Sequence, residues 1–306
     1  MNLGRRLLLL VLLLLAGWGG GAELADIDLA TADAGTDFDF GHLRVRREPD
    51  QVSFSSEAYE LVLDVRRNFV IRRLSGRPGV MTLFDYGELF VVTAAEDAGA
   101  GADAGAGRQT RYEGQGAVQV TSVRLSGGRH SACLQVLQAW PGLRVRKVVE
   151  FFAGRPYIRL AFHMQATAPF RSERVTMNLG TSPDLGAVVC IDNGSPAWRM
   201  HRPGQWFNLP RSQADRWFAY VQPASASAPA AGVALIGADP WFWEQLPGMI
   251  LGSGRKQGGF TVELNQWRRR QVRAGDAVFF DLFLAPFQGD AVEACRALQD
   301  RIMPGL

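Results

Sequence analysis

LRVRKVVEFFAGRPYIRLAFHMQATAPFRSERVTMNLG, residues 143–180, alternates apolar and polar side chains over three successive runs. Neighbouring residues of a strand point to opposite faces, so the pattern describes strands covered on one side. Val145, Val149 and Phe151, then Ile158, Leu160, Phe162 and Met164, then Val175, Met177 and Leu179 form the inward set. Arg144, Arg146 and Glu150, then Tyr157, Arg159 and His163, then Arg174, Thr176 and Asn178 form the outward set. If the three strands are neighbours, the outward set is one broad hydrogen-bonding surface suited to a hydroxyl-rich ligand. The other reading is the solvated outside of a sheet. On the first reading Arg159, Arg174 and Asn178 bind substrate, while His163 and Tyr157 are candidates for proton transfer.

Working outward, short runs rich in Val, Leu, Phe and Arg recur every 8–14 residues from Val52 onward, bounded by Gly, Pro, Asn or Asp. That is the signature of an all-β chain. Strands are expected at 58–65, 68–75, 88–94, 117–125, 131–139, 143–152, 156–166, 173–180 and 186–191. Five more are expected at 197–201, 215–222, 231–237, 259–266 and 276–285. No helices alternate with them to build a parallel sheet, and the number exceeds an immunoglobulin-like unit. The expected fold is a large antiparallel two-sheet β-sandwich with one C-terminal helix. In that helix Asp290 is the cap, and Ala291, Cys295, Leu298 and Ile302 share a face. The segments 95–107 and 223–232 lack apolar mass and read as hairpin loops.

The first 22 residues combine Arg5 and Arg6, an apolar run from Leu7 to Ala16, and small residues ending at Ala22. This is the layout of a signal peptide, and the run is too short for a membrane span. The expectation is an exported protein, periplasmic or extracellular, with no stable span after cleavage. Residues 23–50 read as a mobile leader or edge segment, and 51–306 as a single sandwich domain. Cleavage removes two arginines and no acids, lowering the formal net charge from +3 to +1. A nearly neutral chain does not offer the basic stripe that neutralises phosphates, so nucleic acid is not an expected partner. Only Lys147 and Lys256 are lysines among 33 basic residues. Cys133, Cys190 and Cys295 show no metal-binding spacing, and a Cys133–Cys190 disulfide stays open.

Two further stretches carry chemistry. Residues 198–244 hold Trp198, Trp206, Trp217, Trp241 and Trp243 beside Arg199, His201, Arg202, Asn208, Arg216 and Glu244. Aromatic rings stack on sugar faces or fill cores. Trp217 alternates with Arg216 and Phe218 and reads as core, whereas Trp206, Trp241 and Trp243 lie in turn-like sequence, where function concentrates. Trp198, His201 and Asn208 complete the set of binding candidates. In FTVELNQ, residues 260–266, Glu263 shares a face with Thr261 and Asn265 and is a candidate base. Asp192-Asn193-Gly194 reads as a turn, with calcium as the lesser option. No metal and no cofactor is expected.

The order of YELVLDVRRNFVIRRLSG (59–76), VRKVVEFFAGRPYIRLAFHM (145–164), VTMNLG (175–180), and FTVELNQ with VRAGD (272–276) resembles the galactose mutarotase-like supersandwich superfamily. That fold is shared by sugar epimerases and by domains of polysaccharide lyases and glycosidases. The resemblance implies that Glu263 falls where epimerases carry the base and Asn178 near their asparagine and histidine pair. The histidine is absent, with Leu179 and Gly180 in its neighbourhood, while WFNL (206–209) and His201 come later in the chain. The expected function is an exported carbohydrate-active protein acting on or binding an acidic polysaccharide or oligosaccharide, with a polysaccharide lyase as the candidate enzyme. A noncatalytic carbohydrate-binding or accessory protein, and an epimerase-like enzyme lacking the acid histidine, are the alternatives. Oligomeric state is not legible.

Overall fold

Hydrophobic burial gives the alternating strands two layers. The computed structural model describes residues 25–77, 81–84, 86–94, 108–180, 187–192, 195–199, 206–209, 217–222, 224–238, 249–253 and 260–303. Among these, a ten-stranded sheet runs in the order β1 (Ala25–Asp28), β10 (Gln119–Gly127), β11 (Ser131–Trp140), β12 (Leu143–Phe152), β13 (Ile158–Ala166), β23 (Ala277–Gln288), β19 (Ala231–Gly237), β18 (Trp217–Gln222), β15 (Ala187–Asp192) and β16 (Ser195–Arg199). The thirteen-stranded sheet follows the order β17 (Trp206–Leu209), β20 (Met249–Ser253), β21 (Phe260–Gln266), β14 (Phe170–Gly180), β8 (Tyr86–Ala94), β6 (Val70–Gly76), β5 (Tyr59–Asp64), β4 (Gln51–Ser55), β3 (Arg44–Arg47) and β2 (Asp37–Asp39). Outside that path β22 (Arg270–Val272) pairs β14, β7 (Met81–Phe84) pairs β6, and β9 (Arg108–Tyr112) pairs β8. The sheets are antiparallel and enclose one large apolar cluster.

The chain is therefore an all-β sandwich, and the inward set read from residues 143–180 is buried as expected. The grouping of its strands differs. β12 and β13 are neighbours, but β14 lies in the opposite sheet. Thr167, Ala168 and Pro169 are exposed and carry the chain from one layer to the other. Pro169 has no N–H to continue a ladder. Alternation fixes which residues meet the core but is the same for either layer, so the polar residues of β13 and β14 face away from each other.

The N-terminal segment contributes β1, β2 and β3 at sheet edges, and Leu29, Leu43 and Val45 are each at most 1% exposed in the core. Helix α1 (Ala291–Ile302) begins as the sequence suggested. Asp290 Oδ1 accepts from the N–H groups of Val292 and Glu293 at 3.0 and 2.9 Å. Ala291, Cys295 and Leu298 pack with Trp217, Ala234, Ile236 and Phe287 on the outer side of the ten-stranded sheet. Thus β19 is covered on both faces, which explains its unbroken apolar run. No helix among the described residues is long and apolar enough to cross a membrane.

Cys133 is free, and burial pushes its thiol up to about 11. Five strands separate β11 from β15, at about 4.8 Å each, so Cys133 and Cys190 do not meet.

Candidate functional site

Leu179, Met177 and Val175 of β14, and Leu89 and Val91 of β8, are fully buried in the main core. Their alternates therefore stand on the outward side of the thirteen-stranded sheet. Register then aligns residues distant in sequence. Asn208 pairs with Ile250, Ile250 with Glu263, Glu263 with Asn178, and Asn178 with Glu88, making one row across five strands. Two residues along, on the same side, a second row contains Trp206, Gly252, Thr261, Gly180 and Tyr86. With glycine at 252 and 180, Thr261 is the one non-glycine position between the two aromatic positions of that row.

Polar groups on this side are prearranged. Asn178 is half-buried, and its Oδ1 has no hydrogen-bond partner among the described residues. An orphan acceptor of this kind is the usual mark of a ligand or water position. Arg174 places its guanidinium 5.4 Å from the Phe90 ring centroid. Glu88 Oε1 accepts from Gly114 N at 3.0 Å and from Arg67 Nη2 at 3.3 Å. A Cβ on Gly114 would stand 2.8 Å from Arg67 Nε, so glycine is what allows this close seat.

Arg67 is held there by a strained turn. Asn68 and Phe69 both adopt left-handed backbone, with φ of 57° and 61°. Such a conformation is tolerable for asparagine and unusual for phenylalanine. Asn68 Nδ2 donates to the carbonyls of Glu113, Gln115 and Val118, while Phe69 O accepts from Lys147 Nζ at 2.8 Å. Lys147 and Glu113 form a completely buried ion pair of 3.1 Å, and Gln138 Nε2 also donates to Glu113 Oε1. Leu89 N donates to the other carboxylate oxygen. A buried network thus braces, through the turn, the carboxylate beside Asn178.

The β6 strand adds basic groups on the same side. A register shift lets Val62 pair with Arg73 and Leu63 with Ile71, so Arg72 is the extra residue of a bulge and both arginines are exposed. They line a recess of about 350 Å³ with Gln51 and Val62.

Of the residues singled out from sequence, Arg174, Asn178, Glu263, Asn208 and Trp206 thus belong to one side of one sheet. Arg159, His163 and Tyr157 do not. Arg159 and His163 lie on the outer side of the ten-stranded sheet, across the core from Asn178, because Leu160, Phe162 and Met164 are the inward residues of β13. Arg159 is already engaged, donating to Asp281 Oδ1 and Oδ2 at 2.8 and 2.6 Å and to Glu150 at 3.0 Å. This arrangement leaves it a poor neutraliser of a substrate carboxylate. Arg159→Ala is expected to lower stability by about 2 kcal/mol in chemical denaturation, since it strips two charge-assisted bonds from the nearly buried Asp281.

His163 stacks on Phe279 at 6.4 Å, and burial, then Arg146, lowers its pKa. Tyr157 is 8% exposed between Phe152 and Phe283, close to the helix. Trp198 lies on β16, at the edge of the ten-stranded sheet, and Trp217 is core as expected. His201, Trp241, Trp243, Asn193 and Gly194 fall outside the described residues. Among the described residues no three His, Cys, Asp or Glu side chains come together as metal ligands. Sequence reasoning missed Glu88 and Arg67. Glu88 lies at the start of an expected strand, out of phase with Leu89 and Val91, which was the available signal.

No family model matches the chain, and no curated protein matches it by sequence. Solved structures do match by shape. A Klebsiella pneumoniae protein provisionally assigned as an aldose 1-epimerase aligns over 92% of both chains with a TM-score of 0.54 and 13% identity. The GH36 α-galactosidase AgaB from Geobacillus stearothermophilus aligns with 80% of this chain and 41% of its own, at a TM-score of 0.52 and 9% identity. A galactose mutarotase-like protein from Lactobacillus casei aligns over 78% of this chain and all of its own, at 0.50 and 8%. At such identities the likeness establishes the fold, while function rests on the site.

Proposed function

We propose, from the galactose mutarotase-like supersandwich fold of this chain, that it is an exported carbohydrate-handling protein whose sugar site is the outward side of the thirteen-stranded sheet. The row of Asn208, Glu263, Asn178 and Glu88 carries the reading. Carboxylates and amides in register supply donors and acceptors for adjacent hydroxyls, and the two glycines beside Thr261 leave room next to that row. Arg67, Arg72, Arg73 and Arg174 make this side cationic and so favour an acidic saccharide, which would have to share Arg67 with Glu88 and Arg73 with Glu60.

For a lyase reaction, Glu263 is the base that removes the C5 proton beside the neutralised carboxylate, replacing His163 and Tyr157 in that role. The electron pair forms the C4=C5 double bond as the C4–O bond breaks, and the leaving oxygen takes its proton from water. The noncatalytic reading is favoured by one observation: the positions facing Glu263 in register are Asn178 and Ile250, neither of which is an acid.

The test is incubation of the purified protein with alginate, pectin and glycosaminoglycans, reading the absorbance of unsaturated uronate and, in parallel, ligand quenching of tryptophan fluorescence. Turnover lost by at least 100-fold in Glu263→Gln supports the lyase. Quenching without product, weakened about tenfold in Asn178→Ala, supports the binding protein. Neither signal on any saccharide rejects the site. Export is tested by N-terminal sequencing of the accumulated protein, which should begin at or just after residue 22.

A further inference from the structure

Four hairpin connections meet at one end of the sandwich around a cavity of about 630 Å³. Two come from the thirteen-stranded sheet, at Phe40–His42 and Ser56–Ala58, and two from the ten-stranded sheet, at Arg129 and Phe152–Pro156. The volume lies within the range of small-molecule sites.

The rim is preformed by backbone bonds. Phe40 N donates to Leu43 O at 3.0 Å, Ser56 N to Tyr59 O at 2.9 Å, and Gly128 N to Ser131 O at 3.0 Å. Ala153 N donates to His130 O at 2.9 Å, which ties the turn bearing Arg129 to the turn bearing Arg155. The apolar walls are equally anchored. Phe40 packs on the main core, and Phe152 packs on Tyr157 and Phe283 with the helix-side cluster.

The polar groups show which ligand these walls suit. Arg129 and Arg155 are exposed, and neither guanidinium has a hydrogen-bond or ion-pair partner among the described residues. Glu57 is the one carboxylate lining the cavity, so two guanidinium groups outweigh it. His42 Nδ1 lies 3.2 Å from Phe40 O, and its Nε2 is buried and unpartnered among the described residues. A cavity wall with an orphan nitrogen and two unpaired cations is incompletely satisfied by the protein itself.

We propose that this cavity binds a small organic carboxylate with an apolar ring face, its carboxylate held by Arg129 and Arg155 and its ring against Phe40 and Phe152. A guanidinium meets a carboxylate through two parallel N–H bonds, and an aromatic wall accepts either a sugar face or an aryl ring. The site is separate from the row containing Asn178, so it stands or falls independently of the proposed sugar site.

Calorimetric titration of the full protein with sodium glucuronate, sodium benzoate and glucose tests this. Saturable binding of at least one acid with none of glucose, weakened about tenfold or more in Arg129→Ala and in Arg155→Ala, supports it. Which acid binds identifies the ring as sugar or aryl. Both arginines are exposed, so the variants should melt with the parent. No saturable heat from either acid, binding of glucose equal to that of glucuronate, or binding indifferent to both arginine variants overturns the proposal.

Discussion

Lys147→Ala should destabilise the protein by about 3–5 kcal/mol. Lys147 and Glu113 are both 0% exposed. Removing the ammonium leaves a buried carboxylate with only the Gln138 amide and the Leu89 N–H for company. It also releases Phe69 O, whose bond opposes the strain of a left-handed phenylalanine. Urea denaturation measures the loss. A midpoint corresponding to less than about 1 kcal/mol would show that the pair is not sealed from water. The double variant Lys147→Met with Glu113→Leu should lose less than the two single variants summed, because neither charge is then left unpaired. Arg67 shares the braced turn, so Lys147→Ala should also weaken saccharide binding at temperatures where the protein remains folded.

Gly232→Ala should cost about 3 kcal/mol. A Cβ at 232 would run into the carbonyl oxygen of Tyr220 on the neighbouring strand and stand 2.8 Å from Phe287 Cζ. The first obstacle is backbone, which cannot swing aside as a side chain can, and β19 is pinned between β18 and β23. Thermal unfolding would register the change as a lowered midpoint. A midpoint within a degree of the parent would mean that the strands part to admit the methyl group. Serine should behave like alanine, since the clash lies at Cβ.

Much of this architecture was legible before any coordinates, for reasons that also mark where legibility ends. Alternation in 143–180 identified the buried faces because the period of a strand is two residues whatever its neighbours. It did not assign β14 to its sheet, because an exposed crossing of three residues looks like any hairpin. Lys147 falls at an inward position between Val145 and Val149, yet its charge kept it out of the inward set. Its partner Glu113 lies 34 residues away, outside any local pattern. The segment before Val52 left a choice between mobile leader and edge segment because β1, β2 and β3 are only three or four residues long. Helix α1 was readable in full, since its cap and its buried stripe are both local.

The candidate site divides in the same way. Asn178 and Glu263 were named separately, and only register shows that they face each other across one ladder. Arg159 and His163 were grouped with them on the assumption of adjacent strands, and the crossing at Pro169 removes that assumption. Glu88 could not be recognised without knowing that β8 lies beside β14.

The place of β23 in the ten-stranded sheet has a consequence for biosynthesis. It pairs with β13 on one side and β19 on the other, and its contacts with β13 join residues more than 100 positions apart. β10 to β13 can assemble as a local meander while translation continues, but they cannot connect with β18 and β19 until residues 277–288 have left the ribosome. The nascent chain therefore carries two unfinished half-sheets with unpaired borders until β23 emerges. Until then both half-sheets present open hydrogen-bonding borders, the exposure that makes partly folded chains prone to aggregate.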